Sequence, residues 1–354
     1  MRVGVDGRSL VGGAPRGVAH YTSALLGALA AAFPEDDWGV LLPRGAGALV
    51  PHGVRVIRHS VPARLLFGAA AVVRRPRLDL LLGGDCDVVW APAPAPLALG
   101  STPFVLTVHD RSWEQRPQDF TLYERAWHRS ARPRTLARRA TRVLCDTEAV
   151  RAELIAAWRL QPERVRAVPL APRALGSPAA APRDGPPYFL FVGALEPRKA
   201  PDVLVAAFTR ARAQGLDADL VFAGEGRLAR RLQAPRVRIA DRRDPLADLY
   251  AGAIALVLPS WVEGFGLPPV EALSVGVPAI VSDLPVFRET LGADGALYVT
   301  PGDVAGLADA LLALAGDAEL RERVLVAGRA AIAPLLWETT ARRTHAVLTE
   351  AANE

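Results

Sequence analysis

Short apolar runs recur along the whole chain, bounded by glycine, proline or charge. In the first half they are Val3 to Asp6, Val40 to Leu42, Val54 to Ile57, Asp87 to Trp90, Pro103 to Val108 and Val143 to Cys145. In the second half they are Tyr188 to Val192, Leu220 to Ala223, Val237 to Ile239, Ile254 to Pro259 and Val277 to Ser282. Runs that are apolar at nearly every position, instead of alternating, predict strands of parallel sheets covered on both faces. Between them the period lengthens to that of a helix, as in the stripe Tyr21, Leu25, Leu26 and Leu29. Helices are predicted likewise for a basic stretch from Arg64 to about Arg75, for an arginine-rich region between Thr121 and Arg142 broken near Pro133, and for a segment capped by Thr147. Others carry Pro245, Leu246, Leu249 and Tyr250, then run from Gly302 to Glu319 and from Arg321 to Ala333. Beyond Pro334 a last one holds Trp337 and Leu348. Strand alternating with helix predicts an α/β fold of doubly wound sheets. Arg173 to Pro187 is rich in proline and alanine, lacks a period and reads as a linker. The expected division is a domain at 1–172, a linker at 173–187, a domain at 188–333 and a terminal segment at 334–354.

Composition narrows the setting. The chain has 354 residues, 51% of them hydrophobic, enough for two cores. A net charge of +5 favours anionic partners. No zinc-finger spacing, aromatic RNA-binding box or helix-turn-helix accompanies it, so nucleic acid is not expected. Cys86 and Cys145 form neither a Cys-x-x-Cys pair nor a metal-ligand spacing, which fits free thiols in a reducing compartment. The N terminus enters a strand directly, unlike a signal peptide, and Leu65 to Val73 is too short to span a bilayer. The expectation is a cytoplasmic protein, at most peripheral on the inner face of the cell membrane.

Candidate chemistry concentrates between Ser260 and Leu273, where the strand Ile254 to Pro259 gives way to a glycine-punctuated loop and a helix with Pro268 or Pro269 in its first turn. In open α/β sheets ligands bind beyond the carboxyl ends of the strands. The glycines let backbone N–H groups approach a ligand, and a helix start favours an anion. Glu263 in the loop and Glu271, about a turn into the helix, can each accept from the vicinal hydroxyls of a sugar or ribose. From the residues alone, the pair also reads as one solvated glutamate and one first-turn glutamate favoured by the helix dipole.

Glu263-Gly264-Phe265-Gly266-Leu267-Pro268, followed by Glu271-Ala272, resembles the signature of retaining GT-B glycosyltransferases of the family 4 type, which include bacterial cell-surface polysaccharide and mannosyltransferase enzymes. The resemblance implies two Rossmann-like domains facing across a cleft. It places Glu263 near the donor sugar, Glu271 on the ribose hydroxyls, and Gly264, Phe265, Gly266 and Leu267 around the donor. Gly193 through Glu196-Pro197-Arg198-Lys199 resembles the segment that holds the donor diphosphate, which gives that role to Lys199 and Arg198. Lys199 is the single lysine of the chain, a compact point charge in a protein that otherwise uses arginine. Ala194 stands where some members have a further arginine. Leu220 to Gly226 resembles the family's next strand and Gly-x-Gly turn, and the base is expected near Arg238 to Arg242.

The first half departs further from the pattern. Val3 to Asp6, the loop from Gly12 to Val18 and the helix after it form a phosphate-binding arrangement, or equally a plain β–α connection. There is no full Gly-x-Gly-x-x-Gly, so a nicotinamide cofactor is not indicated. The family often carries Gly-x-Gly-Arg-Tyr here. This chain has Gly17-Val18-Ala19-His20-Tyr21, in which Gly17 is expected to keep the turn and Arg16 to stand in for the missing arginine. His109-Asp110 ends the strand Pro103 to Val108. An imidazole there can bind phosphate or a hydroxyl; Asp110 can orient the ring, contact an acceptor or cap a helix. The resemblance puts such a pair at the cleft mouth, with Asp146 or Thr147 near it. The arginines between Arg125 and Arg142 can seat an anionic lipid headgroup or membrane surface, or form an ordinary solvated face.

The implied activity is retaining transfer of a hexose from a nucleotide-diphosphate sugar to a hydroxyl of a glycan or lipid-linked glycan, with GDP-mannose favoured by resemblance alone. His109, Asp110, Arg198, Lys199 and Glu263 are the expected catalytic residues. No cofactor and no metal are expected, because Asp85-Cys86-Asp87 precedes a strand and no other ligand spacing stands out. One competing reading is a non-catalytic sugar-nucleotide binding protein, supported by the altered loop at Gly17 to His20. Another is an epimerase on the same fold, which would lack the loop from Glu263 to Glu271. A phosphorylase would need a pyridoxal lysine later in the chain than Lys199.

Overall fold

The computed structural model describes residues 1–11, 17–43, 50–59, 75–176 and 185–354. Residues 12–16 of the loop expected from Gly12 to Val18, the basic helix from Arg64 as far as residue 74, and residues 177–184 of the linker lie outside the described residues, while Gly17 and Val18 are helical. The chain divides into two compact units, Met1–Leu170 with Leu335–Glu354, and Ala171–Pro334.

The first unit holds the strands β1 (Arg2–Asp6), β2 (Asp37–Pro43), β3 (Arg55–His59), β4 (Val88–Ala91), β5 (Phe104–Thr107), β6 (Arg142–Cys145) and β7 (Val165–Ala167). They pair in the order β3-β2-β1-β4-β5-β6-β7, all parallel. The chain runs outward from β1 to β3 and then returns to lay β4 against β1, so strand order reverses between β1 and β4. Val5, Val40, Val89, Trp90, Val105 and Leu106 are buried without exposure, as strands covered on both faces require. The terminal helix Trp337–Ala352 packs in this unit. Its Thr340 hydroxyl donates to the Pro169 carbonyl at 2.7 Å, and its His345 ring stacks on Phe33 at 3.6 Å between centroids.

The second unit holds β8 (Tyr188–Val192), β9 (Asp219–Ala223), β10 (Val237–Ile239), β11 (Ala253–Leu258), β12 (Ala279–Ser282) and β13 (Leu297–Val299). Their order is β10-β9-β8-β11-β12-β13, again all parallel, with the reversal between β8 and β11. Phe189, Leu190, Phe191, Phe222, Leu256 and Ile280 fill the core.

One helical expectation changes in detail. The segment from Gly302 to Glu319 is not one helix. The Asp317 carboxylate accepts from the Leu320 N–H and starts a new one, giving Val304–Gly316 and Ala318–Ile332. The arginine-rich region is broken next to Pro133 as expected, into Leu122–Ala131 and Pro133–Arg139, with Arg132 left-handed between them (φ 48°).

Candidate active site

The segments singled out in the second unit meet where strand order reverses. The loop after β8 carries Arg198 and Lys199, and the loop after β11 carries Ser260, Trp261 and Glu263. The Trp261 N–H donates to the Arg198 carbonyl at 2.9 Å and ties one loop to the other. Lys199 Nζ lies 2.5 Å from Glu263 Oε1, and the Ser260 hydroxyl donates to the same oxygen at 2.7 Å. The Lys199 and Glu263 side chains are only 13% and 7% exposed, so the pair is held away from most of the solvent. Ser260, fully buried, was not singled out by the sequence reading.

The Lys199 loop is braced from behind. Lys199 ends a single 3-10 turn, Pro197–Lys199, and buried Ala200 turns the backbone left-handed (φ 51°) into the helix Pro201–Ala213. The Leu195 N–H donates to the Glu225 carbonyl at 2.8 Å. A Cβ on Gly224 would lie 1.8 Å from the Gly193 carbonyl oxygen, and one on Gly226 would lie 2.4 Å from that of Leu195. These two glycines therefore let the loop after β9 press against the loop that carries Lys199.

Gly266 opens the helix Leu267–Ser274 with φ 85°. The expectation that this helix start supplies backbone donors is corrected. Pro268 and Pro269 have no N–H, so among the first three helical residues only Leu267 offers one. Phe265 is 3% exposed and belongs to the core.

Glu271 is 2% exposed on that helix. Its Oε2 accepts from the Tyr250 hydroxyl at 3.0 Å. Its Oε1 lies 3.4 Å from Arg173 Nε, yet neither atom makes a hydrogen bond. Burial pushes the carboxyl pKa up, against the opposing pull of Arg173 and Tyr250. A buried carboxylate oxygen with an open acceptor position calls for a donor from outside. Arg173 was read as linker and Tyr250 as a helix residue. Neither carries a local signal of this partnership.

In the first unit His109 sits past the end of β5. Its Nδ1 lies 2.8 Å from Asp146 Oδ2, and its Nε2 lies 3.1 Å from the Pro92 carbonyl oxygen. The carboxylate that orients the ring is thus Asp146, not Asp110. Asp110 accepts from the N–H and hydroxyl of Ser112, at 2.8 and 2.7 Å, at the start of the short helix Ser112–Gln115. Both neighbours of the His109 ring are acceptors, which favours a proton on each nitrogen. Burial lowers its pKa, but the Asp146 charge and hydrogen bond, with Asp110 and the Pro92 carbonyl, outweigh it, and the net shift is upward from 6.5. Tyr21 meets the ring edge-on at 4.6 Å. Its hydroxyl lies 3.2 Å from that of Thr107, which also accepts from the Trp90 indole at 3.0 Å. Gly17 is the first residue of the helix Gly17–Ala32, and a Cβ there would meet none of the described residues within 4 Å. The turn expected of Gly17 involves residues 12–16, which lie outside the described residues.

Among the described residues no group of three or more His, Cys, Asp or Glu is placed to hold a metal, and no helix is long and apolar enough to cross a membrane.

Comparison with known proteins matches residues 15–171 to the model described as Glycosyltransferase Family 4, and residues 186–317 to the one described as Glycosyl transferases group 1. The chain is 59% identical over 58 residues to the O-antigen chain mannosyltransferase RfbU of Salmonella typhimurium, covering 16% of each protein. It is 34% identical over 238 residues to the D-inositol 3-phosphate glycosyltransferase of Kribbella flavida, covering 58% of this chain and 55% of that one. These matches span less than two thirds of either relative. The fold superposes on sucrose-phosphate synthase from Thermosynechococcus elongatus with a TM-score of 0.78 and 20% identity, over 99% of this chain and 98% of that one. The two-domain GT-B architecture is shared with that enzyme.

Proposed function

Because the chain belongs to the family 4 and group 1 glycosyltransferases, we propose that it moves a hexose, with retention, from a nucleotide-diphosphate sugar to a hydroxyl of a glycan or lipid-linked glycan. The carrying observation is Glu271, a buried carboxylate whose Oε1 makes no hydrogen bond. It rises from the same loop-and-helix segment whose Glu263 holds Lys199. Ribose hydroxyls supply the donors that Glu271 lacks, and the diphosphate takes the charge of Lys199 and Arg198. As the leaving group departs, its growing charge is met by groups already in position. Glu263, fixed by Ser260 and Lys199, faces the donor sugar. The departing phosphate accepts the proton of the acceptor hydroxyl on the same face, which gives retention. The acceptor is assigned to the first unit, where His109 is held between Asp146 and the Pro92 carbonyl. Asp110 keeps a place there only as the residue that shapes the loop after His109.

Mannose is favoured because the matched stretch of RfbU belongs to a protein named as a mannosyltransferase, and GDP-mannose is the first donor to try. The reaction needs no metal, because the protein's own cations face the diphosphate. It takes place at the cytosolic side. The test is a panel of GDP, UDP and ADP sugars crossed with lipid-linked and soluble glycan acceptors, with and without chelator. Products are read by mass spectrometry and their anomeric configuration by NMR. An α-linked product from an α-donor in chelator supports the proposal. Inverted product, or activity restored only by added magnesium or manganese, refutes the corresponding part.

A further inference from the structure

The turn that presents Lys199 is gripped from both sides. In the sheet order β8 lies between β9 and β11, so the loop after β8 runs between the loops after those two strands. On the β11 side the Trp261 N–H holds the Arg198 carbonyl, and Glu263 holds Lys199 Nζ. On the β9 side the grip comes from Glu196. This residue stands at the head of the turn Pro197–Lys199, yet its carboxylate caps none of the turn's N–H groups. It reaches instead to one residue 31 positions on. Its Oε1 accepts from the Arg227 N–H at 3.1 Å, and its Oε2 accepts from Arg227 Nε at 2.5 Å. Backbone bonds run beside this pair, from the Leu195 N–H to the Glu225 carbonyl at 2.8 Å and from the Leu228 N–H to the Leu195 carbonyl at 3.0 Å. They already join the two loops through Leu195. An ion pair with side chains 39% and 22% exposed adds little to that stability. Its effect is local, because the backbone bonds stop at Leu195 and Glu196 carries the grip into the turn itself.

We propose that Glu196, tied to Arg227, is a positioning residue for Lys199, an assignment that rests on Lys199 as the cation facing the donor diphosphate. Glu196 touches no donor. It fixes the direction of the three-residue turn, so that Nζ stands in place before the leaving group develops its charge. Without it the turn pivots about the bond from Trp261 to Arg198, and the pairing of Lys199 with Glu263 loosens. The two links to Arg227 are separable. Arg227→Ala removes the side-chain link and leaves the backbone N–H on Oε1, whereas Glu196→Ala removes both. Glu196→Ala should therefore have the larger effect, and Arg227→Lys, which keeps the charge, should stay nearest the parent.

Because Lys199 is the single lysine of the chain, its place can be read without donor or acceptor. Its rate of acetylation by acetic anhydride is followed by mass spectrometry of the peptide that carries it. The rate should rise in Glu196→Ala and less in Arg227→Ala, with the far-UV circular dichroism of the parent kept. Steady-state kinetics with a donor that the parent accepts should show kcat of Glu196→Ala lower by up to about 100-fold, the loss that a misplacement on the order of 1 Å produces, with the donor KM near the parent's. In a Lys199→Ala background, Glu196→Ala should lower the residual turnover no further, because its effect runs through Lys199. A Glu196→Ala variant acetylated at the parent's rate overturns the proposal. So does one with the parent's kcat, and so does an equal fold loss in the Lys199→Ala background, which would make the pair merely structural. A parent that transfers sugar from no donor refutes the activity alone, and the acetylation rates then decide the role of Glu196 by themselves.

Discussion

Gly266→Ala separates the conformational demand of the donor loop from its packing. Gly266 has φ 85°, and a Cβ there would lie 2.2 Å from the Phe287 ring. The left-handed conformation costs a residue with a Cβ roughly 1–2 kcal/mol. Phe287 is fully buried in the helix Pro285–Leu291 and has no exit, so the overlap adds about 1–3 kcal/mol of overpacking. Gly276 provides the control, because its φ is 89° and a Cβ there would meet nothing within 4 Å. Gly276→Ala therefore incurs only the first cost, and the difference between the variants isolates the second. A chain with two compact units does not give one clean unfolding midpoint, so the readout is hydrogen exchange of amides in the second unit. Gly266→Ala should open that unit about 1–3 kcal/mol more easily than Gly276→Ala. It should also weaken nucleotide binding, since Gly266 lies between Glu263 and Glu271. Equal protection in the two variants would refute the packing argument, and unchanged nucleotide affinity would refute its link to the donor site.

Glu271→Ala should weaken nucleotide binding by roughly 1.5–3 kcal/mol, the value of a hydrogen bond to a charged group; calorimetric titration of the folded variant that gives the parent's affinity would remove Glu271 from the site. Lys199→Ala should lower both stability and turnover, because it leaves Glu263 without its cation. Adding Glu263→Gln should restore stability but not turnover, and steady-state kinetics showing recovered turnover would make the pair merely structural. His109 is held above its ordinary pKa, so the stability tied to its charged form is present below about pH 6.5 and is lost as pH rises through the folded value, while burial raises the Asp146 carboxyl, whose protonation breaks the pair on the acid side. Asp146→Asn should lower the ring's pKa and remove that dependence; a histidine NMR titration identical to the parent's would refute the assignment.

The strand pattern was legible because a parallel strand buried on both faces must be apolar at almost every position. The runs at Phe189 to Phe191 and Leu256 to Leu258 say so without help from the rest of the chain. Two strands escaped that reading. Val165–Ala167 and Leu297–Val299 are three residues each and lie at sheet edges, where one flank has no partner and a short run suffices. The motif residues Lys199, Glu263, Gly266 and Glu271 were legible by resemblance, and their joining at the reversal between β8 and β11 follows from the topology.

What stayed hidden is the partner of each motif residue, because partners come from distant segments. Asp110 was a natural candidate to orient His109 because it is next in the chain. Yet neighbours at the end of an extended strand point to opposite sides, and the carboxylate that reaches the ring comes from Asp146, past the end of the adjacent β6. Glu271 repeats the lesson: Tyr250 comes from the preceding helix and Arg173 from a segment without period. The glycines divide in the same way. Gly17, chosen for its place in a motif, heads a helix, and a Cβ there would meet none of the described residues within 4 Å. Gly224, matched only as part of a turn, has no room for one, because the carbonyl of Gly193 fills the space. Whether a glycine is replaceable is thus decided by the loop that faces it. The same reasoning makes Gly224→Ala a sharper probe of the Lys199 loop than any change at Gly17, since the overlap with Gly193 must displace backbone and not a flexible side chain.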